Sequence, residues 1–171
     1  MKLRIGAIAA LALATSTLFA QEQPNAQKTS PSFDRLKSLV GVWTGKYADG
    51  SPVKVTYRMV SAGKVLMETL DMGDSKENMV TMYHPDGDNV MMTHYCSIGN
   101  QPRMRASIDP KNDSTITFSF VDATNMASPD DQHMHKLVVT FKDNDHFTQE
   151  WTMRAKGEDV HTGVFQYERV K

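Results

Sequence analysis

From Val42 to Val170 the chain is dominated by short segments in which apolar and polar residues alternate, each bounded by turn-forming residues. This period of two constrains the fold more than any other feature, because side chains on an extended strand point alternately to opposite faces. Ten such segments are legible: VWTGKY, SPVKVTYRMV, KVLMETLDM, NMVTMYH, NVMMTHYCSI, PRMRASI, STITFSFVD, HKLVVTFK, HFTQEWTMRA and VHTGVFQYERV. The nine connections between them, including ADG, SAG, PDGD, GNQ, DND and KGED, are mostly a few residues long. Short links of this kind join sequential antiparallel strands. Left open, such a sheet would expose two strand edges; closing it removes both. The expected fold is all-β, a closed antiparallel up-and-down barrel of about ten strands.

Ahead of the strands, SPSFDRLKSLVG places Ser30 and Pro31 where a helix starts, Phe33, Leu36 and Leu39 or Val40 at helical spacing, and Gly41 as a stop. A short helix with one apolar face can cover one mouth of the barrel. The first twenty residues, MKLRIGAIAALALATSTLFA, set Lys2 and Arg4 before a short apolar run that ends in small residues. That is the build of a secretory signal peptide, with cleavage expected after Ala20. No other segment is apolar enough for long enough to cross a bilayer as a helix. The expected organisation is a signal peptide over 1–20, a flexible leader over 21–31 and one barrel domain over 32–171, exported to a periplasmic or extracellular location, with no membrane insertion after signal cleavage.

A net charge of -1 gives no broad electrostatic footprint for nucleic acid or an anionic membrane. Cys96 is the only cysteine, so no disulfide forms within one chain. The sequence names no cofactor and no oligomeric state.

SLVGVWTGKY, following a short helix, is similar to the Gly-x-Trp-x-Gly opening of the calycin superfamily, which includes lipocalins, fatty-acid-binding proteins and nitrobindin-like proteins. Ten strands resemble the fatty-acid-binding and nitrobindin branch, and the chain also resembles the uncharacterised secreted domains grouped as DUF1579. The resemblance implies a barrel with an internal cavity and no particular ligand. Nitrobindin-like proteins hold haem through a histidine near the end of the chain, which here would be His161. Trp43 is expected to plug the closed end, between Gly41 and Gly45.

Alternation assigns inward faces. His133, His135, Leu137, Val139 and Phe141 share one; Val90, Met92, His94, Cys96 and Ile98 share another. Phe147, Gln149, Trp151 and Met153 form a third, Val53, Val55, Tyr57 and Met59 a fourth, and Ile116, Phe118 and Phe120 a fifth. The interior is then apolar with a few polar groups, the lining of a small-molecule site. Tyr57, His94, Cys96, His135, Gln149 and Trp151 are its candidate ligand-binding residues, with a small apolar ligand as partner.

Arg103 lies just after GNQ, where the cavity mouth should be, and could clamp a carboxylate; equally, it could pair with an exterior acid such as Glu68. A metal site is a further reading: His94 and Cys96, and again His133 and His135, stand two apart, about 7 Å along a strand. Those four ligands and the 12 methionines would suit a soft ion such as Cu(I). Methionines spread over nearly every strand equally suit an adaptable core. An enzyme would pair Cys96 with His94 or His135, or use His84 with Asp86 and Asp88. Asp86, Gly87 and Asp88 are also what a tight hairpin requires, and no catalytic triad or phosphate loop is identifiable, so binding is favoured over catalysis.

Overall fold

A computed structural model describes residues 30–73, 78–106 and 114–171. The signal-like segment and the expected leader up to residue 29 lie outside the described residues, as does the connection DPKND. One helix, α1 (Pro31–Lys37), precedes ten strands: β1 (Gly41–Tyr47), β2 (Pro52–Val60), β3 (Val65–Asp71), β4 (Met79–Asp86), β5 (Asn89–Tyr95), β6 (Gln101–Ala106), β7 (Thr115–Thr124), β8 (His133–Phe141), β9 (His146–Ala155) and β10 (Glu158–Arg169). Each strand pairs antiparallel with the next, and β1 pairs with β10, so the sheet is a closed up-and-down barrel.

The helix starts where Ser30 caps it: the Ser30 hydroxyl accepts from Phe33 N at 3.0 Å, and Pro31, which lacks an N–H, takes the first helical position. Ser30 itself is buried. Phe33, Leu36 and Leu39 are buried at the barrel end, and Val40 faces solvent. Trp43 closes that end as expected. Its Nε1 donates to Leu39 O at 2.7 Å, its ring meets Phe147 edge-on at 4.8 Å, and the Arg169 guanidinium lies 4.0 Å above it. Arg169 also donates to the carbonyls of Ser38 (2.7 Å), Val40 (3.0 Å) and Asn144 (3.1 Å), groups left without partners where a short helix stops and a strand turns.

The inward faces follow the alternation. Val53, Val55, Tyr57, Leu66, Leu70, Tyr83, Val90, Met92, Phe118, Leu137, Val139, Phe147 and Trp151 are all buried. Two departures have local causes. Ile98, expected inward on β5, lies past the strand's end at Tyr95, in a turn where Gly99 N donates to Cys96 O at 3.0 Å; it is 46% exposed and lines only the cavity rim. His135, expected inward on β8, is the extra residue of a β-bulge: Met134 pairs with Met153 and Lys136 with Thr152. The bulge leaves His135 only half-buried and turns Met134 toward the cavity instead.

Closure depends on a missing side chain. Gly45 on β1 pairs with Tyr167 on β10, and a Cβ at Gly45 would fall 2.0 Å from Gln166 O and 2.8 Å from Tyr167 Cδ1. The nearest obstacle is backbone, which can yield only if the two strands part. Gly45→Ala is therefore expected to destabilise the protein by at least the roughly 1–3 kcal/mol of an overpacked core. Urea denaturation of the two proteins measures the difference, and equal midpoints would contradict this account of the seam.

Candidate ligand-binding cavity

Opposite the helix, the barrel is open. The ends of β1, β3, β5 and β9, the starts of β4, β8 and β10 and the turn after β5 surround a cavity of about 340 Å³. This is within the ordinary range for small-molecule sites, toward its lower end. Leu70, Met72, Met79, Met134, Trp151, Met153 and Phe165 supply apolar walls, while Tyr47, His94, Cys96, Ser97 and His161 supply polar atoms. Gly163 makes room for Tyr47, since a Cβ there would lie 2.8 Å from its hydroxyl; that hydroxyl bonds His161 Nε2 at 2.8 Å.

A row of polar residues runs across the inner face behind this cavity. Tyr57, Glu68, Thr81 and His94 are direct cross-strand partners on β2, β3, β4 and β5, so alternation brings all four inside together. All four are buried. Tyr83 Oη donates to Glu68 Oε2 at 2.6 Å, and Gln149 Nε2 donates to the same oxygen at 3.0 Å and to Tyr57 Oη at 2.9 Å. Trp151 Nε1, on the cavity wall, reaches Gln149 Oε1 at 3.4 Å. Thr81 Oγ1 and His94 Nδ1 are 2.9 Å apart, and the His94 ring lies 4.5 Å from Trp151.

Burial sets the charges in this row. It pushes the Glu68 carboxyl above its ordinary pKa, against the hydrogen bonds from Tyr83, Tyr57 and Gln149 that favour the carboxylate. Burial and the nearby Glu68 hold the Tyr57, Tyr83 and Tyr167 hydroxyls firmly protonated. Burial alone pushes His94 down to about 4, so its imidazole is neutral at physiological pH.

The structure brings Tyr57, His94, Cys96, Gln149 and Trp151 to the interior. Of these, His94, Cys96 and Trp151 line the cavity, while Tyr57 and Gln149 belong to the hydrogen-bonded row. His135 does not line the cavity; it stacks on Phe120 at 5.0 Å, with its Nδ1 3.2 Å from His133 Nε2. His133 is also spent locally, its Nδ1 bonding Asp131 O at 2.7 Å. The proposed four-ligand centre of His94, Cys96, His133 and His135 is not assembled: among the described residues no three His, Cys, Asp or Glu side chains form a group able to hold a metal. Two strands separate β5 from β8, and the bulge turns His135 aside.

Arg103 is exposed, and both arms of its fork are taken by Asp122, with Nε donating to Oδ1 at 2.5 Å and Nη2 to Oδ2. A clamp for a ligand carboxylate is thereby already filled. Its suggested exterior partner, Glu68, is not exterior; it is 1% exposed at the centre of the polar row. The alternation rule would have found it, since Leu66, Glu68 and Leu70 share one face of β3. The same rule applied to β4 gives Thr81 and Tyr83. His84 faces solvent and bonds Pro85 O, leaving the Asp86-Gly87-Asp88 turn as a hairpin.

No family model matches the chain, and no curated protein matches it. Among solved structures it is similar to Rv2717c from M. tuberculosis, with a TM-score of 0.58 and 17% identity over 84% of this chain and 100% of that one. It is also similar to a DUF3598-family protein of unknown function from Nostoc punctiforme, with a TM-score of 0.52 and 17% identity over 79% of this chain and 48% of that one. Both likenesses support the barrel fold, and at this identity they extend to the fold alone.

Two outcomes follow from the polar row. Glu68→Leu strands the Tyr83 hydroxyl and the Gln149 amide, and is expected to cost roughly 2–6 kcal/mol, about 1–3 for each buried donor. Glu68→Gln, which mimics the protonated acid, should cost much less; equal denaturation midpoints for the two variants would refute the network. For His94, the folded state resists protonation while the unfolded state accepts a proton near 6.5, so stability is full above that value and is lost as pH falls toward 4. Relative to His94→Gln, the native protein should lose roughly 3 kcal/mol between pH 7 and pH 4, the equivalent of the shift from 6.5 to about 4. Denaturant titrations of both proteins at several pH values measure this, and parallel pH profiles would count against a buried neutral imidazole.

Proposed function

We propose that this chain is an exported calycin-like protein that binds a small, uncharged, largely apolar molecule in the open end of its barrel. The observation that carries the reading is the composition of the cavity wall. It is built of thioethers, aromatic rings and aliphatic side chains, holds a few neutral polar groups, and among the described residues includes no Lys, Arg, Asp or Glu. Such walls gain free energy by burying apolar ligand surface away from water and offer a charged ligand no counter-ion. Methionines, with three rotatable bonds, let the pocket adjust to its occupant. Export rests on the amino-terminal pattern of two basic residues, an apolar run and small residues before Gln21. Binding, rather than turnover, is favoured because Glu68, the buried acid, is fully engaged by Tyr83 and Gln149 and does not line the cavity.

A second reading is supported by one residue. His161, the histidine to which the nitrobindin resemblance points, stands on the last strand and lines this same cavity. The apolar walls and the imidazoles of His161 and His94 fit a porphyrin in kind, and His161 would then exchange its bond with Tyr47 for one to iron. Haem would supply a redox-active or gas-binding centre there.

Titration with the neutral dye N-phenyl-1-naphthylamine tests the leading reading. Its fluorescence is expected to rise and saturate at one dye per chain, and Met134→Trp, which fills the cavity, should weaken the dye about tenfold or more while leaving the circular dichroism unchanged. Absence of saturable binding, or an unaffected affinity in Met134→Trp, would defeat the cavity reading. In a parallel titration with hemin, a Soret shift that disappears in His161→Ala would favour the haem reading over the first.

A further inference from the structure

His94 is 3% exposed and lines the cavity, yet its two ring nitrogens are unequal. Nδ1 is engaged with Thr81 Oγ1 at 2.9 Å in the barrel wall, whereas Nε2 has no hydrogen-bond partner. A buried polar atom without a partner is uncommon, and beside a cavity it marks where a ligand atom is missing. Resting on the reading of the open end as a ligand site, we propose that the ligand carries an uncharged hydroxyl or ring N–H and that His94 Nε2 accepts the hydrogen bond from it. The chemical class is a neutral, planar phenol or azole.

The direction of that bond is set by the wall. A neutral imidazole has one N–H and one lone pair, and the partner of Nδ1 decides which of them faces the ligand. Tyr83 Oη donates its proton to Glu68 Oε2, the oxygen that also accepts from Gln149 Nε2. With the Tyr83 proton committed to Glu68, the phenolic oxygen can only accept, and Thr81, beside Tyr83 on the same face of β4, is its donor in this proposal. The Thr81 oxygen is then the acceptor for His94 Nδ1–H. Donors thus run in one direction, from His94 to Thr81 to Tyr83 to Glu68, and the lone pair is left on Nε2.

The rest of the cavity narrows the class. A carboxylate or phosphate would bring acceptors to an acceptor, with no Lys or Arg among the described lining residues to receive it. An ammonium would find no Asp or Glu among those residues. Trp151 packs against His94 at 4.5 Å, and Phe165 and four methionine thioethers complete a wall suited to the face and edge of an aromatic ring. Nε2 is screened from water, so a ligand reaches it only by displacing part of the cavity wall.

Three isosteric probes separate the possibilities: 1-naphthol, its methyl ether 1-methoxynaphthalene, and 1-naphthoate, each titrated calorimetrically at pH 7 into the full chain. Expected is an affinity for 1-naphthol about tenfold or more above that for the ether, with 1-naphthoate weakest. In His94→Phe, which keeps a ring and removes the nitrogen, naphthol and ether should bind alike. In Thr81→Val, which keeps His94 but frees its tautomer, the preference should shrink. Equal binding of naphthol and ether by the native protein, a preference that survives in both variants, or tightest binding of naphthoate would overturn the inference and leave the cavity reading standing. Failure of all three probes to bind would overturn the cavity reading and the inference with it.

Discussion

The pairing of β1 with β10 is the contact on which everything else in this molecule depends. Without it, the ten strands form an open sheet with two exposed edges and no enclosed interior. The seam is made possible by small residues on both of its strands. Gly45 admits Gln166 and Tyr167, and Gly163 admits the Tyr47 ring, which in turn reaches His161. One seam position closes the barrel and the other shapes its cavity, so structural and binding constraints share the same two strands. These strands are also the first and the last, so the interior cannot be completed until the chain end has docked, an ordering that slows folding.

Closure leaves two unlike ends. At one, the helix, Trp43 and Arg169 satisfy each other: the indole N–H goes to Leu39 O, and the guanidinium covers the indole face and three backbone carbonyls. At the other end no helix among the described residues covers the barrel, and the strand termini line a cavity. Between them lies the row from Tyr57 to His94, an expensive arrangement in a small interior, because a carboxyl and three tyrosine hydroxyls are kept from water. The hydrogen bonds into Glu68 offset much of that cost and fix one orientation for Gln149 and Tyr83.

Most of the fold was legible because barrel architecture is written in a local rule. The alternation within each segment, read with short turns, gives the strand number, the closure and the inward residues of β2, β5, β7 and β9. What escaped was either non-local or a failure to apply the rule everywhere. The bulge at His135 depends on how β8 matches β9, which no single strand reveals. The pairing of Arg103 with Asp122 requires knowing that β6 and β7 shift register between Arg103 and Met104. Glu68 is different: applied to β3, the rule places it inward beside Leu66 and Leu70, but a charged residue reads as solvent-facing by habit, and so it reads as an exterior acid. A barrel with a polar interior breaks that habit where its chemistry is concentrated.

The row and the cavity are parts of one device. An imidazole facing an apolar pocket is a poor anchor if its proton can reside on either nitrogen, because a ligand must then select one tautomer from two. Coupling Nδ1 to a chain of hydroxyls that ends on Glu68 removes the choice in advance. In the proposed arrangement the buried acid shapes a pocket it does not line, because the order of donors from His94 through Thr81 and Tyr83 ends on it. It also explains why the acid sits deep in the barrel. At the mouth, Glu68 would put a carboxyl on the cavity wall, whereas behind Thr81 it orders that wall and leaves no Asp or Glu among the described lining residues.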